Sequence, residues 1–263
     1  MANTYEIYAI RHAVNEGRTR SQNFIHDPDP MAPLTMDFYC WALKGPDGWI
    51  IVDTGMDPVK GAAHQVVMNP VDGWRALGIE PEAVTTVILT HAHYDHMGFV
   101  DALPFATFLM QAEEMAYVTG PLMEHAVFRY AYHADEIAGL VTLLHEGRLH
   151  LHGREHEVAD GLTLHWVGGH TAGQEVLRVR TERGWCVLAS DALHYYEELE
   201  KGIPFAVVHS LPDMINAHQT IRDLADSDDH ILPAHDPLIR ALYPSVSDTL
   251  EGKILRLDVA PTK

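Results

Sequence analysis

The chain has 263 residues, 47% hydrophobic and 21% charged, which is ordinary globular usage and long enough to bury a substantial core in one large domain or two small ones. Its 37 acidic and 18 basic residues give a net charge of −19, a field that repels phosphate backbones and anionic membrane surfaces and so argues against a nucleic-acid or membrane partner. The opening Met-Ala-Asn-Thr-Tyr-Glu has neither the basic start nor the apolar run of an export signal, no stretch is long enough to span a bilayer, and Cys40 and Cys186 lie in apolar surroundings; a cytoplasmic protein with two buried free thiols is expected.

In chain order, residues 5–10 have strand composition. Residues 11–33 are polar and carry three prolines within Asp27-Pro28-Asp29-Pro30-Met31-Ala32-Pro33, which predicts a long irregular segment, either a lid or a simple excursion. Residues 38–43 and 49–52 read as two strands joined by the turn Lys44-Gly45-Pro46-Asp47-Gly48. Asp53 follows, as a turn former beside Gly55 or as a carboxylate that orients a ligand histidine. Residues 59–77 mix helix and loop, and Trp74, Leu77 and Ile79 are expected in the core. Residues 84–89 form a short apolar run with β-branched Thr85 and Thr86, the pattern of a buried strand.

That strand leads into Thr90-His91-Ala92-His93-Tyr94-Asp95-His96, three imidazoles and a carboxylate in six consecutive residues from His91. Neutral imidazole and carboxylate are the usual nitrogen and oxygen ligands of zinc-type metals. In extended backbone, residues two apart share a side. His91 and His93 can then aim at one ion, Asp95 continues the alternation, and His96 points elsewhere, so that Asp95 and His96 would serve a second ion. The alternative is a His-rich surface loop, in a chain with 19 His. His150 and His152, at the same spacing, read as a strand face.

Residues 99–103 predict a helix, 106–110 a strand and 111–118 a helix. Residues 121–144 are rich in apolar side chains, and Ile137, Leu140, Val141 and Leu144 have helical spacing. This predicts a helical insertion near 111–145 that covers the core, or whose Met and aromatic residues wall an apolar substrate pocket. Residues 148–151 and 162–167 are strands, and Gly168-Gly169-His170-Thr171 follows the second. Residues 174–181 and 185–189 form a hairpin that ends at Asp191. Residues 211–226 are helical, with Met214, Ile215, His218, Ile221 and Leu224 on an inward stripe. Residues 230–232 are read as the last strand, with His235 just beyond. The tail from 243 carries little signal, and the absence of linkers or repeats predicts one domain over 1–263.

His91-Ala92-His93-Tyr94-Asp95-His96 resembles the HxHxDH signature of the metallo-β-lactamase superfamily. Val52-Asp53-Thr54-Gly55, Gly168-Gly169-His170-Thr171, Ser190-Asp191 and Pro233-Ala234-His235-Asp236 resemble the rest of that pattern in order, from residue 52 to 236. The resemblance implies an α+β fold, an αββα sandwich of two mixed sheets with outer helices, its ligand loops gathered along one edge. It implies His91, His93 and His170 on one metal, Asp95, His96 and His235 on another, and Asp191 bridging them. Two Zn2+ per chain are expected, other divalent metals being possible. Two cations about 3.5–4 Å apart can share a hydroxide that attacks a carbonyl, with Asp95 taking up and returning a proton.

The complete ligand set without an added domain is similar to the N-acyl-homoserine lactonase group. This implies a hydrolase that opens a lactone ring, a quorum-quenching role, a small-molecule substrate and a homodimer. Those enzymes place a Tyr three residues after the bridging Asp. Here that place is His194, followed by Tyr195 and Tyr196. Either His194 or Tyr195 is expected to take the catalytic, substrate-contacting role, with Tyr94 as part of the substrate wall. Competing expectations are a thioester hydrolase like glyoxalase II or another small-ester hydrolase, an iron-dependent oxidoreductase of the same fold, and a binding-only protein. Glyoxalase II normally adds a basic C-terminal region, and this tail has only Lys253, Arg256 and Lys263.

Overall fold

The computed structural model describes residues 3–262. Its strands are β1 (Glu6–Asn15), β2 (Met36–Gly45), β3 (Gly48–Val52), β4 (Gln65–Val66), β5 (Thr86–Leu89), β6 (Thr107–Gln111), β7 (Leu149–His152), β8 (Glu155–Ala159), β9 (Leu162–Trp166), β10 (Glu175–Thr181), β11 (Gly184–Ser190), β12 (Ile231–Pro233) and β13 (Ile254–Arg256). Its helices are α1 (Arg20–Asn23), α2 (Pro70–Ala76), α3 (Tyr94–Met97), α4 (Ala112–Val118), α5 (Ala126–Arg129), α6 (Ala134–His145), α7 (Tyr196–Lys201), α8 (Leu211–Leu224) and α9 (Ile239–Leu242). Among the described residues no helix is long and apolar enough to cross a membrane.

The strands form two mixed sheets. One has the order β13-β1-β2-β3-β5-β6-β7, with β4 also on β1; the other runs β12-β11-β10-β9-β8. Side-chain alternation along β2 shows why they stack. Tyr39, Trp41 and Leu43 join Ile7, Val52 and Ile88 of their own sheet against Leu162, Leu164, Leu177 and Leu188 of the other. The intervening Cys40 and Ala42 face the opposite way, where Trp74, Met115 and Leu140 come from α2, α4 and α6. Helix α8 covers the second sheet through Ala217 and Ile221. The αββα sandwich follows from these three apolar layers. Truncating Trp41 to Ala would cost about 3–5 kcal/mol, the usual range for a large aromatic lost from a packed core.

Several expectations change in detail. Residues 11–15 extend β1 past a register shift between Arg11 and Ala13 instead of starting the irregular segment. The helix expected at 99–103 is a single 3-10 turn, Val100–Ala102, cut short by Pro104. Strand β8 and helix α7 had no clear signal. The strand at β12 is not the last, because the tail supplies β13, antiparallel to β1. Ile215 points outward, 46% exposed, since α8 turns its Met214, Ala217, His218 and Ile221 face inward. Cys40 and Cys186 are buried free thiols, as expected.

Candidate metal centre

Strands β3, β5 and β6 are parallel, as are β11 and β12. Their carboxyl ends therefore lie together, where sites in layered α/β proteins concentrate. Asp53 follows β3, the histidine cluster follows β5, Asp191 follows β11 and His235 follows β12. His170 comes from the β9–β10 loop, where Gly169 has φ 90° and a Cβ would stand 2.6 Å from the Met214 backbone.

Two overlapping groups result: His91, His93, His170 and Asp191, and Asp95, His96, Asp191 and His235. Within each group the ligand atoms all lie within 4.8 Å of one another, and every residue is buried. Asp191 Oδ1 is 3.1 Å from both His96 Nε2 and His235 Nε2, whereas Oδ2 is 3.3 Å from His170 Nε2 and 3.9 Å from His91 Nε2. Oδ2 is also 3.3 Å from His235 Nε2, so the carboxylate sits between the two groups, with Oδ1 toward the second and Oδ2 reaching both. Asp95 joins the second group, its Oδ2 standing 3.7 Å from His96 Nε2 and 4.0 Å from His235 Nε2.

The backbone at this point departs from the extended course expected. Tyr94–Met97 is one helical turn, with His93 before it in extended conformation. It is tied down from outside: Thr54 N–H donates to His96 O at 2.7 Å, and Gly98 N–H to Gly55 O at 2.7 Å. The turn brings both Asp95 and His96 to the second group, which alternation alone would not do.

Hydrogen bonds on the far side of the rings fix their direction. His96 Nδ1 donates to Asp53 Oδ2 at 2.7 Å, His170 Nδ1 to Val207 O at 2.8 Å and His235 Nδ1 to Asp37 O at 2.7 Å. A ring that spends Nδ1–H on such a partner presents Nε2 as a lone pair, the form a metal needs. Asp53 is itself held by Thr90, whose N–H and Oγ1 both donate to it at 2.8 Å. Asp53 fits both readings: it takes a turn conformation with φ 56°, and its carboxylate fixes the direction of the His96 ring.

The donor set fits a pair of cations. The buried Nε2 atoms of His91 and His96 have no hydrogen-bond partner among the described residues, although each lies 3.1–3.9 Å from the Asp191 carboxylate. Such spacing leaves room for an ion roughly 2 Å from each donor. Burial pushes the His91, His93 and His170 imidazoles below their ordinary range. Burial works the same way on His96, yet Asp191, Asp53 and Asp95 together hold it well above. For Asp191 burial opposes ionisation, but His235, His96 and His194 hold it well below the usual carboxylate range. A bound cation would replace that His96 proton.

His194 and Tyr195 part company. The His194 ring is fully buried, stacks on Phe205 at 3.5 Å between centroids and puts Nε2 3.1 Å from Asp191 Oδ2. Tyr195, expected as a catalytic or substrate-contacting side chain, is turned away: its hydroxyl donates to Thr35 O at 3.2 Å and accepts from Asn23 Nδ2 at 3.1 Å. Glu198 enforces the difference. Its Oε1 accepts the N–H of His194 at 2.7 Å and of Tyr195 at 2.9 Å, and its Oε2 that of Phe205 at 3.1 Å. His218, expected as a core histidine, is 3.5 Å from Glu198 Oε2. Tyr94 lines the cavity and shares a 2.9 Å hydrogen bond with His64 Nε2.

Glu114, from α4, is a further residue that sequence reasoning missed. Fully buried, it accepts from Ala92 N–H at 3.0 Å, Thr171 Oγ1 at 2.6 Å and Gly173 N–H at 3.0 Å. It clasps the His91–His93 loop to the His170 loop. Gly173 is obligatory there, since a Cβ would meet the Glu114 backbone at 2.1 Å.

A cavity of about 360 Å³ opens on His93, Asp95, His170, Asp191 and His194. A chamber of about 110 Å³ lies beside it, walled by Tyr117, Val127, Phe128 and Tyr130 and sharing His93 and His170. The helical segment 112–145 therefore divides its labour. Leu140 and Leu143 pack in the core, while Val127, Phe128, Tyr130 and Ala131 face the site.

The family model for the metallo-beta-lactamase superfamily matches residues 39–235 of this chain. The N-acyl homoserine lactonase AiiB of Agrobacterium fabrum is 31% identical over 207 residues, 74% of this chain and 70% of that protein. Among solved structures, a quorum-quenching N-acyl homoserine lactone lactonase superposes with a TM-score of 0.73 at 23% identity, covering 90% of this chain and 94% of its own. AidC, a dizinc quorum-quenching lactonase with the product N-hexanoyl-L-homoserine, superposes with a TM-score of 0.69 at 16% identity, covering 90% and 89%.

Proposed function

The chain belongs to the metallo-beta-lactamase superfamily, and from that premise we propose that it is a dinuclear metal-dependent hydrolase that opens a lactone ring, an N-acyl homoserine lactone being the first substrate to test. The observation that carries the reading is the pair of buried ligand groups sharing Asp191 at the floor of a cavity. Zinc is the proposed resident ion, because imidazole nitrogen and carboxylate oxygen are its preferred donors outside thiolate sites. When bound, the pair would supply a water activated near neutral pH and polarise the lactone carbonyl.

The chain's own groups do the rest. Asp95 lines the cavity and also belongs to the second ligand group, so its carboxylate can take the proton of the attacking water and return it to the departing ring oxygen. His194 stands where the lactonases carry a Tyr, and its ring, lining the cavity with Nε2 3.1 Å from Asp191 Oδ2, is the polar contact for the lactone. Tyr94 supports the cavity wall. The chamber beside Phe128 and Tyr130 takes the acyl arm, replacing water around it with aromatic surface. The likeness to AiiB and to the solved lactonases supports this choice of substrate class.

The test is to load the protein with Zn2+, incubate it with N-acyl homoserine lactones of increasing chain length and titrate the acid released. Turnover that rises with chain length until the chamber is filled is the expected result. No turnover at any length, together with cleavage of a glutathione thioester or a simple ester, would replace this reading by that of a thioester or ester hydrolase.

A further inference from the structure

The segment between β1 and β2 brings one cation to the cavity. Arg18 is the single Lys or Arg among the residues that line it, in a chain of net charge −19. Its neighbour Arg20 is neutralised by Asp27 and Glu197. Arg18 has no carboxylate partner among the described residues and is held by neutral groups: Nε donates to Asn23 Oδ1 and Nη2 to Gln22 O at 2.7 Å. Its Nη1 has no protein partner among those residues.

The mount of this guanidinium is built from buried parts. Asn23 is fully buried and donates from Nδ2 to Tyr195 Oη at 3.1 Å and to Leu34 O at 3.3 Å. Tyr195, buried in turn, is anchored on Thr35 O. The tyrosine that turns away from the metal ligands thus secures the arginine. The guanidinium carbon lies 5.9 Å from the Phe205 ring centroid, and Phe205 stacks on His194 beside Asp191. Arg18 and the ligand groups are accordingly about two stacked rings apart across one cavity. The aromatic chamber opens beside His93 and His170 instead.

A half-buried guanidinium that is immobilised, unpaired and free on one Nη is arranged to receive an anion, since the fork matches a carboxylate and its ordering has already been met by the fold. We propose that Arg18 is the specificity-determining residue of the site, binding a carboxylate carried by the substrate on an arm remote from the scissile carbonyl. Among lactones and esters with an apolar arm, the preferred substrate is then one that also carries an anionic arm, cleaved ahead of its neutral counterpart. This rests on the hydrolase reading above and narrows it.

The experiment compares two lactones of the same frame, one with a free carboxylate on its side arm and one with that group as a primary amide. Each is assayed with the zinc-loaded wild type, Arg18→Gln and Arg18→Lys at low and high salt. The wild type is expected to favour the carboxylate in kcat/KM by about 10-fold or more, the worth of one hydrogen bond between charged partners. R18Q should abolish that preference, R18K should restore part of it, and high salt should weaken it. Equal losses on both lactones in R18Q, or no preference in the wild type, overturn the proposal. If neither lactone is cleaved, the hydrolase reading fails by itself. Calorimetric titration with the ring-opened acids, with and without the second carboxylate, then decides the role of Arg18. Tighter binding of the dicarboxylate that disappears in R18Q supports it, and equal binding overturns it.

Discussion

Thr90 stands between two buried groups of histidine and carboxylate. On one side its N–H and hydroxyl hold Asp53 behind His96, at the metal centre. On the other its carbonyl accepts the N–H of Glu175 at 3.2 Å, and Glu175 Oε2 lies 3.4 Å from His152 Nε2. Both groups are buried and use the same two residue types. They differ in stoichiometry. The candidate metal centre sets six imidazoles, those of His91, His93, His96, His170, His194 and His235, against four carboxylates, those of Asp53, Asp95, Asp191 and Glu198. Its rings face one another with more nitrogens than the acids can satisfy. His152 and Glu175 form a one-to-one pair that can share a proton. Burial raises Glu175 to about 7, partly offset by His152; burial lowers His152, but Glu175 outweighs it and leaves the imidazole raised. An excess of ring nitrogen over acid, not histidine count or burial, distinguishes a cation site from a self-neutralised pair.

The largest effect should come from removing the acid at the point where the two ligand groups meet. Asp191→Asn is expected to empty both metal positions and reduce hydrolysis to background, as read by metal analysis and acid release. Glu175→Gln should keep the full metal complement. A Glu175→Gln protein that lost metal as thoroughly would break the distinction between the two groups.

Next come the carboxylates that aim the ligands. Asp53→Asn and Glu114→Gln are each expected to weaken metal binding by about 10–100-fold, the usual cost of losing a group that orients a ligand. Chelator competition measures this. Asn is the informative replacement at 53, because the backbone there has φ 56° and Asn tolerates that region. Asp53→Asn should strike the ion held by His96. Glu114→Gln should strike the ion held by His91, His93 and His170, since Glu114 joins their loops. Loss of both ions together in either variant would show that the two positions fill only as a unit.

The same contrast shows what the sequence could convey. Six consecutive residues spell most of the first cluster, so His91, His93, Asp95 and His96 were legible as candidate ligands, and the resemblance added His170, Asp191 and His235, all seven of which the fold brings into the two groups. The two-sheet fold came from the resemblance: the run over residues 38–43 is apolar throughout, so its alternation between the sheet interface and the helix layer has no polar face to announce it. The helical turn at Tyr94–Met97 was not, because hydrogen bonds from Thr54 and to Gly55 impose it, and four residues have no period to read. His194 and Tyr195 are adjacent residues whose directions depend on Glu198. In the sequence, Glu198 is one of four acids within Glu197-Glu198-Leu199-Glu200 and the nearby Asp191, indistinguishable from a solvated face. Glu114 is likewise an acid near the start of a short helix, where charge is ordinary on dipole grounds. Its burial is decided by two loops about 20 and 60 residues away in sequence. Strand β13 pairs with β1 across almost the whole chain, which a run of Ile254, Leu255 and Arg256 is too short to announce.

A smaller and more discriminating effect lies in the pH dependence of the metal-free protein. Burial lowers His91, His93, His170 and His194 in the folded state. The unfolded chain then binds more protons below about 6.5, so these groups make stability fall as pH drops through that value. His96, raised in the folded state, acts in the opposite sense but is one ring against four. Urea unfolding of metal-free protein should show falling stability from pH 7 to pH 5, and bound zinc should move the loss to lower pH until the ligands protonate and release it.

The smallest effect isolates the other group and carries the opposite sign. Glu175 is raised to about 7 from 4.5, so the folded state binds the proton more tightly than the unfolded state. Its contribution is complete below the unfolded value and is lost as pH rises through about 7; His152, also raised, loses its contribution in the same direction. Glu175→Gln removes the ionisation while leaving an amide of the same shape beside His152. It should therefore gain stability relative to the wild type at pH 8 by on the order of 1–3 kcal/mol, since a tenfold change in proton affinity between the two states is worth about 1.4 kcal/mol and part is returned through the pairing with His152. At pH 5 the variant should be the less stable of the two, because without the Glu175 carboxylate burial lowers His152 and the unfolded chain gains a proton that the folded one resists. A variant less stable at pH 8 would mean that Glu175 is held as an anion by His152 in a true ion pair, and that the second group, like the first, depends on charge rather than on a shared proton.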